Sequence, residues 1–366
     1  MKIVISGYYG SGNAGDEAML DAILEALTNL NPKLEVTVIS INPHDTKRRH
    51  NVNAVSHLNI CAIIKAIFNS DLLISGGGSL LQNVTSRRSL YYYLGVIILA
   101  LLFRRPVMLY AQGIGPIFGS FARKFTAIAL NHVDLITVRD QGSLTELSQL
   151  KVNRPKIFCT ADPVLALSPV SLDFGRQILS KELSDKSIED VKLIGIAVRR
   201  WQGFDRFKTQ LADALIDISK KLKIRVIFIP MQHSADFTAA EEIANLANGV
   251  KCTLLSDQYS TRQLLSLVGC TDLLIGIRLH ALIFAGIQKV PLLGISYDPK
   301  IDRFLDSINE VPIGSIESIN SENIAKAALD KLTDKNSDIN ESAVLNDLQD
   351  KANLNAALAL DLIRKT

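Results

Sequence analysis

Asp272-Leu273-Leu274-Ile275-Gly276-Ile277-Arg278-Leu279-His280-Ala281-Leu282 joins two periodicities in eleven residues. Asp272–Ile275 is a short apolar run without alternation, the pattern of a strand buried on both faces in a parallel sheet. From Ala281 the apolar pattern resumes as a helix. A strand feeding straight into a helix is the repeating unit of an α/β sheet. Arg278 and His280 stand at that junction, where open α/β sheets bind ligands and where a helix N-terminus attracts anions. A guanidinium and a titratable imidazole there suit a small, multiply charged anion.

The same scheme extends in both directions. Asp71-Leu72-Leu73-Ile74-Ser75-Gly76 echoes the segment in the first half. Strand patterns fall at Lys2–Tyr8, Glu35–Ile41, Asp71–Ser75, Val107–Gly113, Leu135–Arg139 and Lys156–Thr160. Helical patterns begin near Asp16, His57, Ser89, Phe118 and Gln141. The second half repeats this, with strands at Lys192–Arg199, Arg225–Met231, Lys251–Leu255, Asp272–Gly276 and Pro291–Ser296. Its helices fall near Asp205–Lys221, Phe237–Ala247, Thr261–Val268, Leu279–Gln288 and Ile301–Asn309. The alternation predicts an α/β protein of two doubly wound Rossmann-like domains facing each other across a cleft. The expected bounds are 1–167, a polar linker at 168–190, 191–340, and a C-terminal helix at 341–366 packing back on the first domain.

The chain has 366 residues, enough for two cores. With 48% hydrophobic and 21% charged residues and a net charge of +3, it reads as a soluble globular protein with no call for nucleic acid. Cys61, Cys159, Cys252 and Cys270 form no CxxC pair and read as buried reduced thiols of a cytoplasmic protein. The N-terminus is broken by Gly7 too early for a signal peptide and reads as the first strand. Leu90–Phe103 is intensely apolar and runs into Arg104-Arg105, yet falls short of the about 20 residues that span a bilayer. It is either a buried crossover helix or one that touches a membrane interface through 90–105.

Gly10-Ser11-Gly12-Asn13-Ala14-Gly15 fits a dinucleotide fingerprint between strand and helix. However, no acid ends the second strand to hold a ribose, and Asp16-Glu17 put carboxylates where a pyrophosphate would lie. A turn that admits some other ligand to the backbone fits better, and Asp16 also suits a helix cap. Ser75-Gly76-Gly77-Gly78-Ser79 and Gln112-Gly113-Ile114-Gly115-Pro116 are further glycine-rich turns on the same edge, either packed tightly or presenting N–H groups to a ligand. Arg199-Arg200-Trp201 ends the first strand of the second half, so one of the two arginines faces the ligand edge. His233 follows the next strand and serves either the site or a local cap. His44, His50, His57 and His132 read as structural. No spacing argues for a metal or for a serine or cysteine nucleophile.

Taken together, Gly7-Tyr8-Tyr9-Gly10 through Gly15-Asp16-Glu17-Ala18, Ser75–Gln82, Gln112–Pro116, Ala161-Asp162-Pro163-Val164, Pro230-Met231-Gln232-His233, Ile277–Ala281 and Tyr297-Asp298-Pro299-Lys300 resemble the polysaccharide pyruvyl transferases, most closely the bacterial cell-wall (CsaB-type) branch. The resemblance implies a GT-B-like fold. It implies transfer of a pyruvyl group from phosphoenolpyruvate to two sugar hydroxyls, giving a cyclic ketal and phosphate. No cofactor is implied beyond that co-substrate. The implied acceptor is N-acetylmannosamine on a lipid-diphosphate-linked precursor, at the inner face of the plasma membrane. It further implies donor contacts from Arg278, Leu279, His280 and either Arg199 or Arg200.

Chemistry then assigns His280 as general acid/base, Arg278 and Arg199 as anion ligands, and Arg200 and His233 as additional donor contacts. The acceptor side is expected at Gly12, Asn13, Glu17, Gly77, Gly78 and Arg139, with Asp16 or Glu17 taking a hydroxyl proton and Arg139 or Arg87-Arg88 holding the acceptor diphosphate. A homo-oligomer stays open. The competing reading is a GT-B glycosyltransferase using a nucleotide sugar.

Overall fold

The computed structural model describes residues 1–84, 86–183, 190–333 and 341–365, without the side chains at 233, 341 and 342. The chain forms two compact units, Met1–Leu167 with Asp347–Thr366, and Ser168–Asn346.

The first unit opens with β1 (Lys2–Tyr9), α1 (Ala14–Leu30), β2 (Glu35–Ser40), α2 (Pro43–His50), β3 (Asn53–Ser56), α3 (Ile60–Phe68), β4 (Leu72–Ser75) and β5 (Gly78–Leu81). It continues with α4 (Arg87–Leu102), β6 (Val107–Ile114), α5 (Ser120–Leu130), β7 (Leu135–Val138), α6 (Gln141–Gln149) and β8 (Lys156–Cys159). Its parallel sheet runs β3-β2-β1-β4-β6-β7-β8, with β5 pairing β6 off that path. Both faces are covered, which is why Leu72-Leu73-Ile74 shows no alternation. Leu73 sits in the core under α3, α4 and α5, and Leu72 and Ile74 in the core under α1.

The second unit holds α7 (Asp173–Glu182), β9 (Lys192–Ala197), α8 (Phe204–Ser219), β10 (Ile224–Phe228), α9 (His233–Leu246), β11 (Lys251–Leu254) and α10 (Thr261–Gly269). After these come β12 (Leu273–Gly276), α11 (Leu279–Ile287), β13 (Leu292–Gly294), α12 (Pro299–Ser307) and α13 (Ser321–Thr333). Its parallel sheet runs β11-β10-β9-β12-β13. Phe228 and Ile275 pack beneath α8, α9 and α13, where Phe207 of α8 joins them. The last helix is α14 (Glu341–Lys365). From residue 347 it belongs to the first unit, where Ala356, Ala359 and Leu360 join the core. There Thr160 Oγ1 donates to Asn355 Oδ1 at 3.0 Å.

In both sheets the strand order reverses about the first strand while all strands stay parallel, so each has a switch point: between β1 and β4, and between β9 and β12. Ligand crevices open at such points, beyond the carboxyl ends of the strands.

Three local features differ from the sequence expectation, and a fourth, α4, falls between its two alternatives. Residues 168–190 contain α7, which is packed rather than a free linker, since Gly175 N–H donates to Ser266 Oγ at 2.7 Å. The highly polar Pro43–His50 is a helix, capped by Asn42, whose side chain accepts from Asp45 N–H at 3.2 Å. Cys61 is exposed rather than buried. In α4, Leu90, Leu94, Ile97 and Ala100 are buried as a crossover helix requires, but Tyr91 and Leu102 face outward. Among the described residues no helix is long and apolar enough to cross a membrane.

Candidate functional site

The second unit's site is built at its switch point. Gly276 pairs with Ala197 across β12 and β9, so Arg278 and Arg199, each two residues past its strand, leave the sheet side by side. Arg278 is the N-cap of α11 and is buried. Its Nε donates to Asp236 Oδ2 at 2.9 Å, and its Nη2 also donates to that carboxylate. Asp236, in the first turn of α9, accepts as well from the N–H groups of Met231 (3.0 Å) and Gln232 (2.9 Å). Asp236 therefore fixes the guanidinium and the loop after β10 together. Nη1 of Arg278 has no partner among the described residues and stays available. Leu279 is buried in the first turn of α11, so only its backbone is placed to meet a ligand. His280 follows in that turn, half-buried, with Nε2 inside the protein.

Arg199 and Arg200 part company. Arg200 is exposed, paired with Glu242, and lies over the Phe204 ring at 5.3 Å. Arg199 is half-buried, 5.0 Å over Trp201 and 5.8 Å over Tyr297. These rings meet edge-on at 5.2 Å. Lys300 Nζ lies 5.4 Å from the Tyr297 ring and 3.3 Å from Asp298. No carboxylate among the described residues neutralises Arg199. Of the two arginines, this one is free to meet an anion. His233 begins α9 beside this edge, and its side chain lies outside the described residues.

In the first unit the loop after β1 and the turn after β4 flank the switch. Gly10 and Gly12 have φ of 74° and 77°, a left-handed backbone that favours glycine. Asn13 caps α1, accepting from Gly15 N–H at 2.9 Å. Asp16 lies in the first turn, half-buried. Burial, and next the Asp16 charge, push the Tyr9 and Tyr93 hydroxyls well above their ordinary range. Asp16 therefore sits within electrostatic reach of two phenols, Tyr9 of the Gly7–Gly10 motif and Tyr93 of the apolar run in α4.

Several expected acceptor contacts turn out to be engaged within the protein. Glu17 Oε1 accepts from Gly10 N–H at 2.8 Å, and its Oε2 lies 3.0 Å from His50 Nε2. His50 Nδ1 reaches Asp21 at 2.7 Å. Burial alone would lower this imidazole, but the hydrogen bonds to Asp21 and Glu17 outweigh it and hold it at about 9. Arg139 donates to Asp162 at 2.7 Å and to Ser79 Oγ at 3.0 Å, with side chains of both ions 7% exposed. It ties the strand ends together rather than reaching into solvent.

Gly77 and Gly78 are buried against Pro163 and Met19, and Gln112 Nε2 donates to the Gly78 carbonyl at 2.8 Å. Gly76 N–H donates to Ser6 O at 2.7 Å. A Cβ on Gly76 would overlap Tyr9 Oη. The triple glycine therefore packs tightly over a buried phenol, and Asp16, Gly12 and the exposed Tyr8 are what this edge presents outward.

Solved structures with the same GT-B-like pair of Rossmann-like units include a UDP-GlcNAc 2-epimerase from Methanocaldococcus jannaschii (TM-score 0.68, 13% identity, 98% of this chain and 100% of that one). Another is the Neisseria meningitidis UDP-GlcNAc 2-epimerase bound to UDP-GlcNAc (0.65, 13%, 99% and 100%). A third is a glycosyltransferase from Rickettsia africae (0.60, 16%, 100% and 96%). At these identities the likeness shows the fold alone. No curated protein matches the chain. The profile of the polysaccharide pyruvyl transferase family matches residues 13–299, most of both units, and the chain therefore belongs to that family.

Proposed function

We propose that this enzyme transfers the pyruvyl group of phosphoenolpyruvate to two hydroxyls of a sugar, forming a cyclic ketal and releasing phosphate. The observation that carries the reading is Arg199, a half-buried cation stacked on Trp201 and Tyr297 without a carboxylate among the described residues. Beside it Arg278 is preset by Asp236. Phosphoenolpyruvate carries a carboxylate and a phosphate on one small frame, and guanidinium groups match both. The N-terminus of α11 adds N–H donors of the right polarity.

In this reading the methylene carbon of the donor takes a proton, which leaves a cationic C2. One sugar hydroxyl adds there and loses its proton. The C2–O bond to phosphate then breaks, and the second hydroxyl closes the ring as its proton passes to the departing phosphate. His280 supplies the proton, since an imidazole titrates near neutrality. Asp16, in the first turn of α1, is the acceptor-side group that takes the hydroxyl proton. The acceptor is an N-acetylmannosamine unit on a lipid diphosphate, as in the cell-wall branch of the family.

The test is to mix the enzyme with phosphoenolpyruvate and a disaccharide-lipid acceptor and to follow phosphate release and product mass. The expected result is stoichiometric phosphate and a product heavier by one pyruvate less water. Calorimetric binding of UDP, with no heat from phosphoenolpyruvate, overturns the reading in favour of a nucleotide-sugar transferase.

A further inference from the structure

Helices α3, α4 and α5 lie side by side over one face of the first sheet. A surface helix ordinarily turns charged residues outward. Here the outward side also carries large apolar residues: Ile60 is 67% exposed on α3, Leu102 is 74% exposed on α4, and Phe121 is 70% exposed on α5. Along α4 the outward line passes from Tyr91 through Gly95, whose side-chain position is open space, to Leu102. Tyr91 reaches the Phe121 and Phe125 rings at 6.3 and 6.1 Å, which joins α4 to α5 in one aromatic patch.

None of these three helices contains an Asp or a Glu, although the chain holds 37. Their charges are all positive. Lys65, Arg87, Arg88 and Lys124 are exposed on them, and Arg104 is exposed just past α4.

We propose that the outward face of α3, α4 and α5 docks on an anionic lipid surface. The exposed rings and aliphatic chains enter the headgroup boundary while the surrounding cations meet lipid phosphates. Aromatic side chains are at home at that depth. A second copy of this chain fits the face poorly, because a two-fold contact would set the same acid-free, basic surface against itself. The inference rests on this surface and not on the reaction.

The test is co-sedimentation of the full chain with vesicles of phosphatidylcholine and phosphatidylglycerol in equal parts, beside vesicles of phosphatidylcholine alone. The chain is expected to pellet with the mixed vesicles and to be released by high salt. Lys65→Ser with Lys124→Ser should weaken partition by roughly 25-fold, at about fivefold per basic residue. Leu102→Ser with Phe121→Ser should weaken it at least as much. These positions are exposed, and matching circular dichroism confirms an intact fold. Three results overturn the proposal: a wild-type chain that stays in the supernatant, variants that bind as well as wild type, or a lipid-free dimer that the Leu102→Ser, Phe121→Ser variant converts to monomer.

Discussion

Arg278 and Asp236 stand 42 residues apart in the chain, yet two hydrogen bonds join them, one from Nε to Oδ2 at 2.9 Å and one from Nη2 to the same carboxylate. Asp236 is 1% exposed, so removing it strands a buried cation and two backbone donors. Asp236→Ala is expected to lower stability by about 3–5 kcal/mol in urea unfolding. Arg278→Lys keeps the charge but cannot span both carboxylate oxygens, and it should raise KM for phosphoenolpyruvate. An unchanged KM removes Arg278 from the donor site.

The two arginines after β9 should separate cleanly in kinetics. Losing a charge-assisted contact to substrate costs about 1.5–3 kcal/mol, roughly 10- to 100-fold. Arg199→Ala should show that loss in kcat/KM for phosphoenolpyruvate. Arg200 makes a surface ion pair with Glu242, of the kind worth about 1 kcal/mol or less, and Arg200→Ala should stay near wild type. The reverse ranking would refute the assignment.

His280→Ala should keep the fold and lower kcat by at least about 10²-fold, the smaller end of general acid–base assistance. The loss should fall on kcat, because a proton donor acts in the transition state. A kcat near wild type would assign His280 a packing role only.

His50 gives a stability term with a definite sign. Its native value of about 9 lies above the ordinary 6.5, so the folded chain binds the proton more tightly. The stabilisation, about 3 kcal/mol, is complete below pH 6.5 and is lost as pH rises toward 9. Chemical denaturation of wild type and His50→Gln across that window should show the difference between them shrinking. A constant difference contradicts the clamp between Glu17 and Asp21.

Tyr9 Oη is buried without a hydrogen-bond partner among the described residues. Tyr9→Phe removes an unsatisfied polar atom, and Tm should hold or rise. Gly76→Ala drives a methyl into that hydroxyl and should cost about 1–3 kcal/mol. In the double variant part of that cost should be recovered, and strict additivity would show that the hydroxyl is not the obstacle.

Much of the fold was legible because period and apolar content mark buried parallel strands directly. Leu273–Gly276 and Leu72–Ser75 fall where the runs of Leu and Ile predict them. Short or polar elements were not legible. Strand β3 has one fully buried residue, Ala54, and α2 is held by its Asn42 cap and by Pro43 rather than by an apolar stripe. The ends of strands pointed to Arg199, Arg278 and Asp16. What spacing could not reveal was which cations were already matched. Arg139 meets Asp162, Glu17 meets His50, and Arg278 meets Asp236 across long stretches of chain, whereas Arg199 meets only rings. Partnership of that kind is a property of tertiary contact.

A guanidinium packed on an indole and a phenol is half-shielded from bulk water and has no carboxylate partner among the described residues. Such a group attracts whichever small dianion is abundant. Orthophosphate, the by-product of the proposed reaction, carries the same oxygens as the proposed donor, so it and sulfate in the medium are expected to compete for that cation and slow turnover.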